Sequence, residues 1–160
     1  MPRAPPIHPA IQMCEARRED VAAIVRLLAD DPLGAERERV SDPPPSDYFA
    51  AFEKIAADPR NLLMVARDGA GAVVGAMQIT FIPGLSNQGA ELALLEAVRV
   101  DASLRGQDIG AMMVTWAMEE ARRRGCRNME LMSHASRGDA QRFYARLGFA
   151  SSHVGMKRAL

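Results

Sequence analysis

The chain has 160 residues, 48% hydrophobic and 25% charged, a composition that suits one folded domain and excludes a disordered one. Its 20 basic and 20 acidic side chains cancel, so nothing points to nucleic acid as a partner. No apolar run approaches the roughly 20 residues that cross a membrane, the start MPRAPPIHPA lacks the apolar centre of an export signal, and two distant cysteines, Cys14 and Cys126, are expected as buried thiols of a cytoplasmic protein without disulfide or metal.

The first ten residues carry four prolines and are expected as a flexible tail, with a single domain over 11–160. IQMCEA (11–16) fits a short strand. RREDVAAIVRLLADDP (17–32) predicts a helix, because Val21, Ile24, Val25 and Leu28 recur at i, i+3, i+4 and i+7, with Pro32 as its stop. The charged, proline-rich stretch 33–45 is expected to be irregular. SDYFAAFEKIAADP (46–59) predicts a second helix, capped by Ser46 or Asp47, with Phe49, Phe52 and Ile55 or Ala56 on its apolar face. NLLMVAR (61–67), DGAGA and VVGAMQITFI (73–82) together read as a hairpin. ELALLEAVRV (91–100) predicts a long strand whose alternation sets Leu92, Leu94, Glu96, Val98 and Val100 on one face.

After the loop LRGQDIG comes the clearest helix, 109–125, with Ile109, Met112, Met113, Trp116, Ala117 and Ala121 as its core stripe. Glu119/Arg123 and Glu120/Arg124 are expected as i, i+4 pairs on its outer face. CRNMELMS (126–133) fits a strand and RGDAQRFYARLG (137–148) a helix with Ala140, Phe143, Tyr144 and Leu147 in phase. Residues 149–160 are expected to return as extended chain. The order describes a mixed α/β domain, an antiparallel meander leading into a β-α-β crossover.

The loop joins a strand to a helix start, where free amides and the helix dipole favour a phosphate or pyrophosphate. Gly106 and Gly110 let a ligand approach the backbone closely, and Arg105 adds a fixed positive charge. No Gly-Lys-Ser/Thr follows, so it is not a Walker loop. The same glycines also fit a tight turn that binds nothing, and the loop alone leaves both readings open. Charge is uneven: residues 1–104 carry a net −5 and residues 105–160 a net +5. A basic C-terminal part suits a polyanion, an acidic N-terminal part a cation.

Arg105 to Gly110, at the proper separation from FYARLGF (143–149), resembles the acetyl-CoA motif of the GNAT N-acetyltransferase superfamily, and the element order is also similar to that family's. The resemblance spans nearly the whole chain from residue 11. It implies the GNAT-like acyl-CoA N-acyltransferase fold, with a central, mostly antiparallel sheet and a β-α-β unit for acetyl-CoA. It implies transfer of an acetyl group from acetyl-CoA to a primary amine of a small molecule by direct attack, without a metal. Tyr144 then matches the family's general acid near the CoA sulfur, although an aromatic at helical spacing also fits a core. Glu96 is the candidate base, with Glu130 and then His134 as rivals. Val98 and Val100 would hold pantetheine and the acetyl carbonyl through their backbone. Arg105, Gly106, Gln107, Asp108, Ile109 and Gly110 would hold the CoA pyrophosphate.

Two residues depart from the family pattern. Arg137 stands where many members have asparagine, and would meet CoA phosphates or solvent. Asp108 stands where glycine is usual. It is expected to cap the helix through its side chain, or to point to water, while neighbouring amides meet the phosphates. The acceptor stays open among polyamine, amino acid, aminoglycoside and peptide. Two other readings share the fold: an acyl-CoA-binding sensor without catalysis, and a protein or peptide N-acetyltransferase. Homodimers are common in the family, but no stripe in this chain demands one.

Overall fold

The computed structural model describes residues 11–160; the segment 1–10, expected as a tail, lies outside them. The described chain gathers into two compact units, one ending at Glu130 and one running from Leu131 to Leu160. The first unit begins with β1 (Gln12–Glu15), α1 (Val21–Ala29), α2 (Pro32–Arg37) and α3 (Ser46–Ala57). There follow the hairpin β2 (Asn61–Arg67) and β3 (Val73–Ile82), a single turn α4 (Ser86–Gly89), β4 (Leu92–Val100), α5 (Ile109–Arg123) and β5 (Asn128–Leu131), whose last residue already belongs to the second unit. The sheet order is β1-β2-β3-β4-β5, and β1/β2, β2/β3 and β3/β4 pair antiparallel. β4 and β5 are neighbours joined through α5, which is the expected β-α-β unit.

The register assigns the two faces. Val65 pairs with Ala76 and Leu63 with Gln78, so these share one face. There Ile24 and Leu27 of α1 pack with Val65 and Ala76 in one core cluster. Gly75 lies on the opposite face, against Met113 of α5: a Cβ at Gly75 would fall 2.7 Å from the Met113 sulfur. A Cβ would displace the Met113 side chain and crowd the Arg99 carbonyl at 3.1 Å, so glycine favours the close approach of α5. The α5 side buries Ile109, Met113, Val114, Ala117 and Ala121, so Val114 joins the stripe while Met112 and Trp116 stay half-buried.

Several expectations change. Pro32 does not merely end α1. It opens α2 at the first helical position, where its missing N–H costs nothing, and Asp31 Oδ1 accepts from Gly34 N at 2.6 Å. The stretch 33–45 thus contains a helix. Pro45, not Ser46 or Asp47, occupies the cap position of α3, with no side-chain cap bond. Arg123 pairs with Glu120 (2.6 Å) rather than Glu119, and Arg124 also reaches Glu120 (2.8 Å), so one carboxylate serves both. Cys14 and Cys126 are free thiols but only half-buried.

In α3 no residue is buried, although Tyr48, Phe49, Phe52 and Ile55 form its apolar face and Arg18 lies over the Phe49 ring at 4.4 Å. The helix is seated loosely on the sheet. The second unit contains α6 (Gly138–Arg146), and residues 149–160 adopt no regular element rather than a strand. Among the described residues, no helix is long and apolar enough to cross a membrane.

Candidate functional site

The centre of β4 is where the regular ladder fails. Glu96 pairs with Gln78 and Arg99 with Ala76, so Ala97 and Val98 together oppose Met77. This is a bulge, and Ala97 holds it with a left-handed backbone, φ 54°. A left-handed alanine costs on the order of 1 kcal/mol, a strain that surrounding pairing must enforce. The bulge also resets the alternation. Glu96 and Arg99 share the face of Ala76 and Gln78, whereas Val98 and Val100 turn to the α5 face with Leu95 and Gly75. The expected single face of Glu96, Val98 and Val100 is thereby split. Glu96 is exposed; Val98 and Val100 are half-buried.

Beside the bulge lies a cavity of about 140 Å³ between α1, α3 and the sheet. Ile24, Leu28, Phe52, Ile55, Ala76 and Ala97 are among its walls. It exists because α3 is loosely seated. Tyr48 and Gln78 bring its polar atoms. The Tyr48 hydroxyl donates to Glu38 Oε2 (2.8 Å) and accepts from the Arg39 amide (3.0 Å). Burial, with the Glu38 carboxylate alongside, pushes this phenol above its ordinary range. Gln78 Nε2 donates to Asn61 Oδ1 at 3.3 Å.

From Val100 the chain turns through Asp101, whose carboxylate accepts from Ser103 N (2.9 Å) and Ser103 Oγ (2.5 Å) and is held below the usual carboxylate range by those bonds. Arg105 Nε donates to the Val100 carbonyl (3.2 Å), and Nη2 to the Asp30 carbonyl (2.9 Å) and Oδ2 (3.0 Å). The guanidinium fastens the loop to the end of α1, and Asp30 offsets its charge. Gly106 is left-handed (φ 80°), with no atom within 4 Å of where a Cβ would stand. Gln107 is exposed, Ile109 is anchored in the core and Gly110 is half-buried.

Asp108 precedes α5 and is itself left-handed, φ 61°, with no side-chain cap bond and an exposed side chain. The expected cap is not made, and the carboxylate faces water. The first-turn amides of α5 are therefore left to another acceptor. Glycine suits this backbone better than aspartate. Asp108→Gly removes a left-handed cost of about 1 kcal/mol and adds about 0.5–1 kcal/mol of chain entropy to the unfolded state. We expect thermal and urea unfolding to show stability unchanged within about 0.5 kcal/mol; a loss above 1 kcal/mol would mean the carboxylate makes a bond that matters.

Glu130 is separate from the bulge. It is exposed and lines a second cavity with Glu91, Leu92 and Arg127, at the opposite end of β4. In the second unit, Tyr144 on α6 is half-buried and meets Phe143 (5.0 Å, 68°) and Phe149 (5.7 Å, 75°) edge to face. Arg137 is the residue before α6; its carbonyl accepts from Gln141 N at 3.1 Å. His134 is exposed, its Nδ1 2.7 Å from Ser136 Oγ. Sequence reasoning missed Ala97, Asp30 and Tyr48. Alanine gives no local sign of a left-handed bulge, and Asp30 meets Arg105 only through the fold.

The model of the acetyltransferase (GNAT) family matches residues 21–149. A solved structure described as a transcriptional regulator from Bacillus halodurans C-125 is 43% identical, with a TM-score of 0.91 over 94% of this chain and 99% of that one. Glucosamine 6-phosphate N-acetyltransferase 1 of Oryza sativa subsp. japonica is 30% identical over 128 residues, 78% of this chain and 76% of that protein. An aminoalkylphosphonate N-acetyltransferase of Salmonella typhimurium is 46% identical over 57 residues, spanning 36% of this chain and only 37% of the relative.

Proposed function

The chain belongs to the acetyltransferase (GNAT) family, and from that premise we propose that it transfers an acetyl group from acetyl-CoA to the primary amine of a small molecule. The observation that carries this reading is the loop ahead of α5. Gly106 offers open backbone, and the Asp108 side chain makes no bond to the helix start. Those two facts fit a pyrophosphate held by the amides of Gly106 to Gly110. Arg105 fastens the loop to Asp30 and the Val100 carbonyl and, with its side chain still half exposed, is assigned to the phosphates as well. Arg137 is assigned to the phosphates or to solvent.

Acetyl-CoA supplies the activated thioester. The amine nitrogen forms the new C–N bond as the C–S bond breaks. Glu96, through water, takes the proton that the amine loses. Tyr144 gives its proton to the leaving sulfur; a phenol of ordinary pKa near 10 can do so. The bulge at Ala97 interrupts the β3–β4 register, and the amides around Val98 and Val100 polarise the acetyl carbonyl.

Titration calorimetry with CoA tests the donor half. A Kd between about 1 μM and 1 mM is expected, as for other enzyme substrates; no heat at about 1 mM CoA sinks the proposal. Release of free thiol across an amine panel tests the transfer half. CoA binding without thiol release from any amine supports instead a sensor of the same fold, a reading that the Bacillus relative's description as a transcriptional regulator favours.

A further inference from the structure

The cavity beside Ala97 has a chemistry that narrows the acceptor, and this inference rests on the transfer reading above. Its walls carry no lysine, arginine or histidine. The two polar side chains are engaged, Tyr48 with Glu38 and Arg39, Gln78 with Asn61. A phosphate, phosphonate or carboxylate placed there would lose water without gaining a counter-charge. A polyhydroxylated body would lose hydrogen bonds in the same way. At the edge, Glu38 is bonded to Tyr48 and Glu96 stands next to Ala97, opposite the lining residue Gln78; the cation on that face, Arg99 opposite Ala76, is engaged by Asp31 (3.5 Å) and the Val98 carbonyl (2.9 Å).

We infer that the acceptor is a primary amine on an uncharged apolar body, its alkyl or aryl part in the cavity and its ammonium toward Glu96. About 140 Å³ is close to the roughly 150 Å³ of an apolar cavity that takes up benzene. This matches a chain of about five carbons or one ring. The acceptors named for two relatives, an aminoalkylphosphonate and glucosamine 6-phosphate, are anionic and do not suit these walls.

The test compares propylamine, butylamine, pentylamine, benzylamine, spermidine, an aminoalkylphosphonate and glucosamine 6-phosphate by thiol release. From propylamine to pentylamine, kcat/KM should rise about fourfold per methylene, and pentylamine should exceed both anionic amines by more than about 30-fold. Ala51→Phe places a ring at the cavity wall from an exposed position of α3, and should abolish the gain with chain length. Pentylamine binding without acetyl-CoA, followed by calorimetry, gives a second readout. If an anionic amine or spermidine is the best acceptor, or Ala51→Phe leaves the chain-length gain intact, the inference is overturned while the transfer reading stands. If pentylamine binds and Ala51→Phe weakens it, yet no amine releases thiol, the cavity assignment stands and the transfer reading falls.

Discussion

Asp20→Asn is expected to lower the free energy of unfolding by about 3–5 kcal/mol, a fall in Tm of roughly 6–20 °C. Asp20 is 4% exposed, the one charged residue buried among the core of the described chain. Its two carboxylate oxygens accept from Arg67 Nη2 at 2.8 and 2.7 Å, and Oδ2 also accepts from the Arg17 amide at 2.7 Å. The pair ties the entrance of α1 to the end of β2, and the neighbouring carboxylate holds the Arg67 guanidinium firmly charged. Asparagine keeps the shape and removes the charge, leaving a largely buried cation without its counter-ion. Adding Arg67→Met should restore most of the loss, since an apolar side chain there needs no partner. Urea unfolding of the single and double variants measures both quantities. A single-variant loss under 1 kcal/mol would show that water already screens the pair.

Tyr144→Phe should lower turnover by about 10²–10⁴-fold while CoA affinity changes by less than about threefold. The ring lies edge to face with Phe143 and Phe149, and phenylalanine preserves both contacts. The substitution takes away the hydroxyl proposed as proton donor to the departing sulfur, together with any bond that hydroxyl makes. Turnover by thiol release and CoA affinity by calorimetry separate the two effects. Equal turnover would assign Tyr144 to packing alone and leave the sulfur to be protonated by solvent.

Local signals were read well where they were strong. The hairpin 61–67 and 73–82 agrees residue for residue with β2 and β3, because alternation and the DGAGA turn act within a few residues. The α5 stripe fixed where the β-α-β unit lies, and the glycine loop located the helix start. The rest depends on distant partners. Ala97 becomes left-handed only because Gln78 and Ala76 pin Glu96 and Arg99 on either side of it. Arg105 turns from the loop toward Asp30 because the fold brings the end of α1 there. Pro32 carries one meaning as the end of a helical pattern and another as the first residue of a helix, and only the Asp31 cap decides. The stretch 149–160 has the composition of a strand, yet without a ladder it remains irregular.

The loose seating of α3 has an evolutionary consequence. None of its residues is buried, so most exchanges along it cost about 0.5 kcal/mol or less. One wall of the cavity is thus drawn from a helix without buried residues, while α1 and the sheet supply the rest. In the cavity inferred to take the acceptor, preference would drift through Ala51 and the half-buried Tyr48, Phe52 and Ile55 while the sheet and α5, which carry the core, stay constant. Such a division lets one scaffold found lineages with unlike acceptors, and lets a laboratory library on α3 explore new amines without first stabilising the parent.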